Sequence, residues 1–225
     1  SVIYSIRGGS QIHDGSWHHI AVGSTGSSIV IYLDGIAETL TVASGTNNGD
    51  WFNDITGTDK TDNITIGTLT RTSSGSYFNG SITDVRYYND FLAADMPILA
   101  SKMQVDDSLT SLQAIHHWPL NSATISTSGL GDCVGSATAI DLTPTNIVAG
   151  DFDYDAFSVN VQDNTTTTDG AVTVTQGKLE GLSLTYADFD DGSSDHIDLG
   201  YDFEEWTEAA QKTMSVWVKN GGNTA

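Results

Sequence analysis

Short apolar runs separated by Gly- and Ser-rich turns recur along this chain. The runs Trp17–Val22 and Ile29–Leu33 flank the polar segment Gly23–Ser28. Both runs are rich in β-branched and aromatic residues and are too short for a stable helix. The segment between them tolerates a tight turn, and Asp34-Gly35 marks the next reversal of the chain. The pattern predicts a β-hairpin here and short antiparallel strands joined by polar turns elsewhere.

Four motifs in the first half of the chain resemble one family, in that family's order. They are D-G-x-W-H-H-I-A-V at 14–22, I-V-I-Y-L-D-G at 29–35, N-I-T-I-G at 63–67 and F-N-G-S-I-T-D-V-R-Y-Y-N at 78–89. These motifs are similar to those of the laminin-G-like, concanavalin A-like lectin and glucanase domains. The resemblance implies an all-β fold, a two-sheet antiparallel jelly-roll sandwich. It also implies that the Trp and one His of the W-H-H element anchor the middle of that sandwich.

The second half of the chain resembles the opening part of the same fold. Segments at 115–121, 189–200 and 213–219 are similar to the family's first strand and two later strands. The family's halves therefore occur in reversed order: residues 1–100 resemble its C-terminal half and 114–225 its N-terminal half, with 101–113 as a linker. We predict a single circularly permuted sandwich over 1–225. Exchange of halves between neighbouring chains and a period cut from a tandem array are the alternatives.

The net charge of the chain limits the classes of partner that it can bind. It carries 29 acidic and 8 basic residues, a formal charge of −21. So negative a surface repels phosphate backbones, which argues against nucleic acid as a partner. The charge indicates either solubility in a salty medium or carboxylates gathered around a hard cation such as Ca²⁺. No apolar run approaches the length of a membrane span, so we expect no membrane insertion.

The beginning of the chain and its cysteine content bear on its origin. The sequence starts at Ser1, inside the strand-like segment Val2–Ile6, and has one cysteine, Cys133. A single cysteine cannot form an internal disulfide. We expect a piece of a larger extracellular or virion-surface assembly.

One acidic loop suggests a calcium site. Carboxylates interleaved with Ser and Gly suit a cation that takes six to eight oxygen ligands. The predicted ligands are Asp188, Asp190, Asp191 and Asp195, joined by Asp59 and Asp62 from another loop. The alternative is an Asx-rich turn that caps strand ends.

A second polar loop suggests carbohydrate binding. An aromatic side chain can stack on a sugar ring while neighbouring amides and carboxylates bind its hydroxyls. The candidates are Trp51, Asn48, Asp50 and Asn53. In the alternative, Trp51 folds back and covers the edge of the sandwich, as large aromatic residues usually do.

Catalytic and transition-metal chemistry have weaker support. His18-His19 and His116-His117 sit on predicted strands, where neighbours point to opposite faces, so only one of each pair can face inward. We expect these histidines to be structural. Asp151, Asp153 and Asp155 would share one strand face, but glycoside hydrolases of this superfamily use E-x-D-x-E, which the chain lacks.

The sequence therefore predicts a non-catalytic, surface-exposed carbohydrate-binding or adhesion module. Its expected partners are a carbohydrate or cell-surface glycan, copies of itself, or other virion or surface proteins. One alternative is a structural subunit of a fibre, capsid decoration or filament that assembles by strand exchange. The other is a glycoside hydrolase.

Overall fold

A computed structural model describes thirteen ranges of the chain. They are 5–51, 65–70, 74–101, 103, 109–120, 125–126, 129–130, 143–145, 152–160, 178–189, 192, 194–198 and 211–221.

The described residues are dominated by β-strands. The strands are β1 Ser5–Arg7, β2 Trp17–Ser24, β3 Ile29–Leu33, β4 Ile36–Ala37, β5 Thr41–Ser44, β6 Thr65–Ile66, β7 Leu69–Thr70, β8 Ser74–Gly75, β9 Gly80–Tyr88, β10 His116–Trp118, β11 Ile125–Ser126, β12 Gly129–Leu130, β13 Thr143–Thr145, β14 Phe152–Asn160, β15 Lys178–Phe189, β16 His196–Asp198 and β17 Lys212–Asn220. One 3₁₀ turn, Ala93–Asp95, leads into the short helix α1, Met96–Leu99. Among these residues, no helix is long and apolar enough to cross a membrane.

Eight strands form one large antiparallel sheet. Their order is β14-β15-β9-β17-β2-β3-β4, and β10 pairs with the second half of β9. The strand β17 comes from the end of the chain but lies between β9 and β2, which both come from its first half. The two halves of the chain thus share one hydrogen-bonded sheet.

The predicted hairpin is formed by β2 and β3, and the residues after β3 explain the reversal that leads into β4. Strands β2 and β3 pair from Ile20 opposite Leu33 to Ser24 opposite Ile29. At the β3–β4 turn, Asp34 has φ 50° and Gly35 has φ 78°. Two successive residues with positive φ are typical of a type I′ turn, whose twist matches that of the strands it joins.

The main hydrophobic core lies between the large sheet and a three-stranded sheet, β13-β16-β6. Ile82, Val85 and Val218 from the large sheet pack in one cluster with Ile197 of β16 and Ile66 of β6. Two antiparallel sheets with apolar side chains between them form a sandwich. The prediction of an all-β sandwich is therefore confirmed.

The other face of the large sheet is partly covered by α1 and the segment 109–114. Met96 and Leu99 pack with Leu112 against Ala21 and Tyr88. Pro97 lies in the first turn of α1. Proline fits there because the first backbone N–H groups of a helix have no intrahelical partner.

Part of the predicted linker is tied to the body of the protein. Thr110 and Leu112 are buried, and the Leu112 backbone N–H donates a 2.7 Å hydrogen bond to Asp95 Oδ2. The described end of 101–113 therefore packs against the sheet. The division into halves and the circular permutation stay predictions.

Candidate functional site

The indole of Trp51 lies inside the protein. Its exposed fraction is 9%, and it belongs to the main core together with Ile29 and Tyr87. Burial raises the pKa of the neighbouring Tyr87 hydroxyl well above its usual range. At this exposure the Trp51 ring offers little surface to a sugar, and its part in sugar binding stays a prediction. Its place in the core favours the alternative, in which Trp51 folds back against the sandwich.

Asn48 and Asp50 nevertheless form a polar rim next to Trp51. Asn48 is exposed, and its Nδ2 donates a 2.7 Å hydrogen bond to Asp50 Oδ2. The Asp50 backbone N–H donates to Asn48 Oδ1 at 3.3 Å. These contacts fix an amide and a carboxylate side by side at the surface. Asn53, the fourth predicted sugar ligand, lies outside the described residues.

The rim is held against the tip of the β2–β3 hairpin. Asn47 Oδ1 accepts from the Ile29 N–H at 2.6 Å, and Asn47 Nδ2 donates to the Ile29 carbonyl at 2.9 Å. Ser24 Oγ donates to the Gly49 carbonyl at 2.6 Å. Gly49 has φ 83°, and a Cβ there would lie 2.6 Å from the Ser28 nitrogen. Only glycine allows this close approach.

Only part of the predicted calcium site is described. Asp195 is 3% exposed and lies between Ser194, which has φ 63°, and β16. The backbone of Asp188 pairs with Ser81 in the sheet. Asp190, Asp191, Asp59 and Asp62 lie outside the described residues. The part of the chain that the structure describes holds no group of three or more His, Cys, Asp or Glu side chains suited to a metal ion. Calcium binding stays a prediction.

A buried ionic cluster forms around Asp84, to which the sequence had assigned no role. Asp84 Oδ1 accepts 2.9 Å and 2.7 Å hydrogen bonds from Arg86 Nε and His117 Nε2. Asp84 and Arg86 are 3% and 2% exposed. Burial raises the pKa of Asp84, but the His117 hydrogen bond and the Arg86 charge outweigh it and hold that pKa below its usual range. The cluster joins β9 to β10.

A bulge in β9 places this carboxylate. Asp84 has φ 55°, and the register between β9 and β17 shifts at this point. A bulge inserts one extra residue and turns its side chain toward the other face. The Asp84 N–H and the Thr83 hydroxyl both donate to the Pro119 carbonyl, at 3.3 Å and 2.8 Å. The motif D-V-R contained both charges, but its spacing gave no sign of the bulge.

The four paired histidines have different surroundings. His18 Nδ1 and Nε2 lie 2.8 Å and 3.1 Å from the carboxylates of Asp34 and Asp14. Burial lowers the pKa of His18, but these two hydrogen bonds outweigh burial and raise the pKa above its usual value. His19 and His116 are buried, at 2% and 5% exposure.

His19 is a buried residue in the middle of the large sheet. Burial lowers the pKa of this residue to about 4, so its imidazole is neutral at physiological pH. Its Nδ1 has no hydrogen-bond partner among the described residues.

Comparison with known proteins supports the family resemblance for the first part of the chain. Residues 1–96 match the family model Laminin_G_3, described as the concanavalin A-like lectin/glucanases superfamily. The match covers less than half of the 225 residues. No curated protein and no solved structure matches the chain. The resemblance inferred from the sequence is confirmed: in residues 1–96 this chain carries the pattern of the concanavalin A-like lectin/glucanases superfamily.

Proposed function

We propose that this protein is a non-catalytic module that binds carbohydrate, or mediates adhesion, at a cell or virion surface. The family match over residues 1–96 supports the general class, since lectins belong to that superfamily. One fold serves many functions, so carbohydrate binding requires a site of its own on this fold.

The observation that carries the proposal is the fixed Asn48–Asp50 pair. A sugar offers vicinal hydroxyls, each of which can donate to a carboxylate and accept from an amide. Asn48 and Asp50 present both kinds of group from a loop pinned to the hairpin by Asn47 and Ser24. Because the loop is already ordered, little conformational entropy is lost when a ligand binds.

A glycan array tests this proposal directly. The intact chain is applied to an array of plant, animal and microbial glycans, beside the variants Asp50→Asn and Asn48→Ala. We expect one glycan class to be bound and each variant to bind it about tenfold more weakly or worse, the effect of losing one hydrogen bond to a charged or amide group. Asn89→Ala, at an exposed asparagine in another turn, is the matched control and should bind normally.

Two results would contradict the proposal. One is the absence of binding to every glycan by a folded protein. The other is hydrolysis of a bound glycan that is abolished by Asp153→Asn, which would make the protein a glycoside hydrolase. Asp153 lies on β14, at the edge of the large sheet.

Calcium and the surface location belong to the same proposal. Extracellular and virion surfaces encounter calcium at concentrations at which modest oxygen-ligand sites are filled. Binding measured with and without a chelator tests the contribution of Asp188, Asp190, Asp191 and Asp195. Unchanged glycan binding and unchanged thermal stability after chelation would remove calcium from the proposal.

The position of β17 supports a second candidate, a structural subunit that assembles by strand exchange. A strand from the end of the chain fills the centre of a sheet built by the first half, so the β17 of a neighbouring copy could make the same pairings. Such exchange is a low-cost route to oligomers. The mass of the chain in solution over a wide concentration range decides: a constant monomer mass excludes this candidate.

A further inference from the structure

The sequence contains three Asn-Gly pairs, at 48–49, 79–80 and 220–221, and the fold holds them differently. A glycine after an asparagine carries no Cβ, so its backbone nitrogen can approach the side-chain carbonyl of that asparagine. Attack of the nitrogen on Cγ closes a succinimide ring and expels ammonia, which is how an asparagine loses its amide in water. The reaction therefore depends on how freely the glycine nitrogen and the asparagine side chain can move.

Two of the pairs are held in the large sheet. Gly80 is the first residue of β9 and pairs with Asn220 of β17 on one side and with Phe189 of β15 on the other. The Gly221 N–H donates a 3.0 Å hydrogen bond to the Asn79 carbonyl. A nitrogen held in this way turns toward the preceding side chain only when the pairing opens. The folded protein therefore protects these two pairs.

The pair Asn48-Gly49 lies in the loop that forms the polar rim. Asn48 is exposed, and among the described residues its side chain is hydrogen-bonded to Asp50 alone. No described residue accepts a hydrogen bond from the Gly49 N–H. The backbone atoms that lie closest to the position of a Gly49 Cβ include the Ser27 and Ser28 nitrogens, which are donors themselves. The attacking nitrogen is thus not engaged in the sheet.

The neighbourhood of the Asn48 amide favours the attack. The Asp50 N–H donates to Asn48 Oδ1 at 3.3 Å, and this oxygen becomes negatively charged when Cγ is attacked. A donor at such an atom stabilises the charge that develops in the transition state. The bond from the Gly49 nitrogen to Cγ forms and the Cγ–Nδ2 bond breaks. Solvent takes the proton of the Gly49 nitrogen and returns one to Nδ2, which leaves as ammonia. Water then opens the ring at either carbonyl and gives aspartate or isoaspartate.

We propose that Asn48-Gly49 is a site of spontaneous deamidation that disables the Asn48–Asp50 rim as the protein ages. After the reaction a carboxylate faces the Asp50 carboxylate, and neither group can donate a hydrogen bond. Like charges at this distance repel each other. In the isoaspartate product the main chain also gains a methylene, next to a glycine that has no room even for a Cβ. The loss of glycan binding rests on the proposed function, whereas the deamidation does not.

Peptide mapping by mass spectrometry tests the proposal on the intact chain after incubation in neutral buffer. Trypsin separates the three pairs: Asn48 falls in the peptide 8–60, Asn79 in 72–86 and Asn220 in the peptide that begins with it. We expect the exchange of NH₂ for OH at Asn48 to be about tenfold faster than at the other two positions. Asn48→Gln, whose longer side chain closes a less favourable ring, should show no exchange at position 48.

The matched control is the same chain unfolded in guanidinium chloride, where all the Asn-Gly pairs should react at similar rates. If Asn48 reacts no faster than Asn79 and Asn220 in the folded chain, the loop protects it and the inference is wrong.

The glycan array measures the effect on the rim. Ion exchange separates the modified protein, which carries an extra negative charge, from the unmodified protein. We expect the modified fraction to bind glycan about tenfold more weakly. Equal binding by both fractions would overturn the effect on the rim. If the fresh protein binds no glycan, the proposed function falls, and the mass measurement still decides whether Asn48 deamidates.

Discussion

Asp84 gives the most direct test of how this sandwich is held together. Its carboxylate accepts hydrogen bonds from Arg86 Nε and His117 Nε2. Asp84 and Arg86 are only 3% and 2% exposed. Removing one partner of a buried ion pair leaves the other charge in a medium of low dielectric constant. Such changes cost about 3–5 kcal/mol. We expect a loss of this size in the free energy of unfolding for Asp84→Ala.

The conservative variant separates charge from backbone conformation. Asp84 has φ 55°, a region that Asp and Asn enter more readily than Ala. Asp84→Asn therefore keeps the bulge and one acceptor oxygen but removes the charge, so it should destabilise less than Asp84→Ala. Since whole domains are stable by only about 5–15 kcal/mol, either variant should show a large shift of the urea midpoint.

Urea unfolding followed by circular dichroism measures these effects. Asp90→Asn is the matched control: Asp90 is exposed, and its carboxylate accepts a 2.7 Å hydrogen bond from the Phe91 N–H. A surface change of this kind should stay within about 0.5 kcal/mol of the wild type. If Asp84→Asn costs no more than Asp90→Asn, the buried cluster does not contribute as argued. Because the pKa of Asp84 is lowered in the fold, its contribution is present above about pH 4 and is lost as the pH falls through the lowered value.

Three further predictions concern other parts of the fold. Gly49→Ala should cost more than the ~1–3 kcal/mol of backbone strain that its φ of 83° implies, because its Cβ would also lie 2.6 Å from the Ser28 nitrogen, and it should weaken glycan binding. Gly15→Ala, with φ 78° and nothing within 4 Å, should cost the backbone strain alone. Equal losses in urea unfolding would contradict this reasoning. Because the pKa of His18 is raised in the fold, its hydrogen bonds to Asp14 and Asp34 stabilise the protein fully below the pKa of the unfolded state and lose this effect as the pH rises through the folded value. The wild type should therefore lose stability relative to His18→Gln between about pH 6 and pH 8. Parallel pH profiles of the free energy of unfolding would refute the link. Deleting residues 212–225 removes β17 from the centre of the large sheet, so we expect circular dichroism to show an unfolded chain. A folded, monomeric truncated chain would show that β9 and β2 can form a stable sheet without β17.

The hairpin and the closing strand of the first half could be predicted from local pattern. The runs at β2 and β3 are apolar and β-branched, and Asp34-Gly35 suits a turn with two positive φ values, so neighbouring residues contain all the information required. The same holds for β17, predicted at 213–219 and observed at Lys212–Asn220.

The site needed contacts that no local pattern contains. Trp51 follows a polar loop, which made it look accessible, but the fold turns it into the core beside Ile29 and Tyr87. Asn47 lies 18 positions from Ile29, the residue to which it is hydrogen-bonded, and nothing in its own neighbourhood indicates that pairing.

What the sequence determined alone is therefore the class of the fold and most of its described strands, because alternation, β-branching and turn residues act over a few positions. What only the tertiary structure decided is which side chains are buried and which meet. Asp84, Arg86 and His117 come together through a bulge, and His19 and Trp217 through the placing of a C-terminal strand beside an N-terminal one. Burial and long-range pairing depend on the packing of the whole chain, and the chemistry of this protein depends on them.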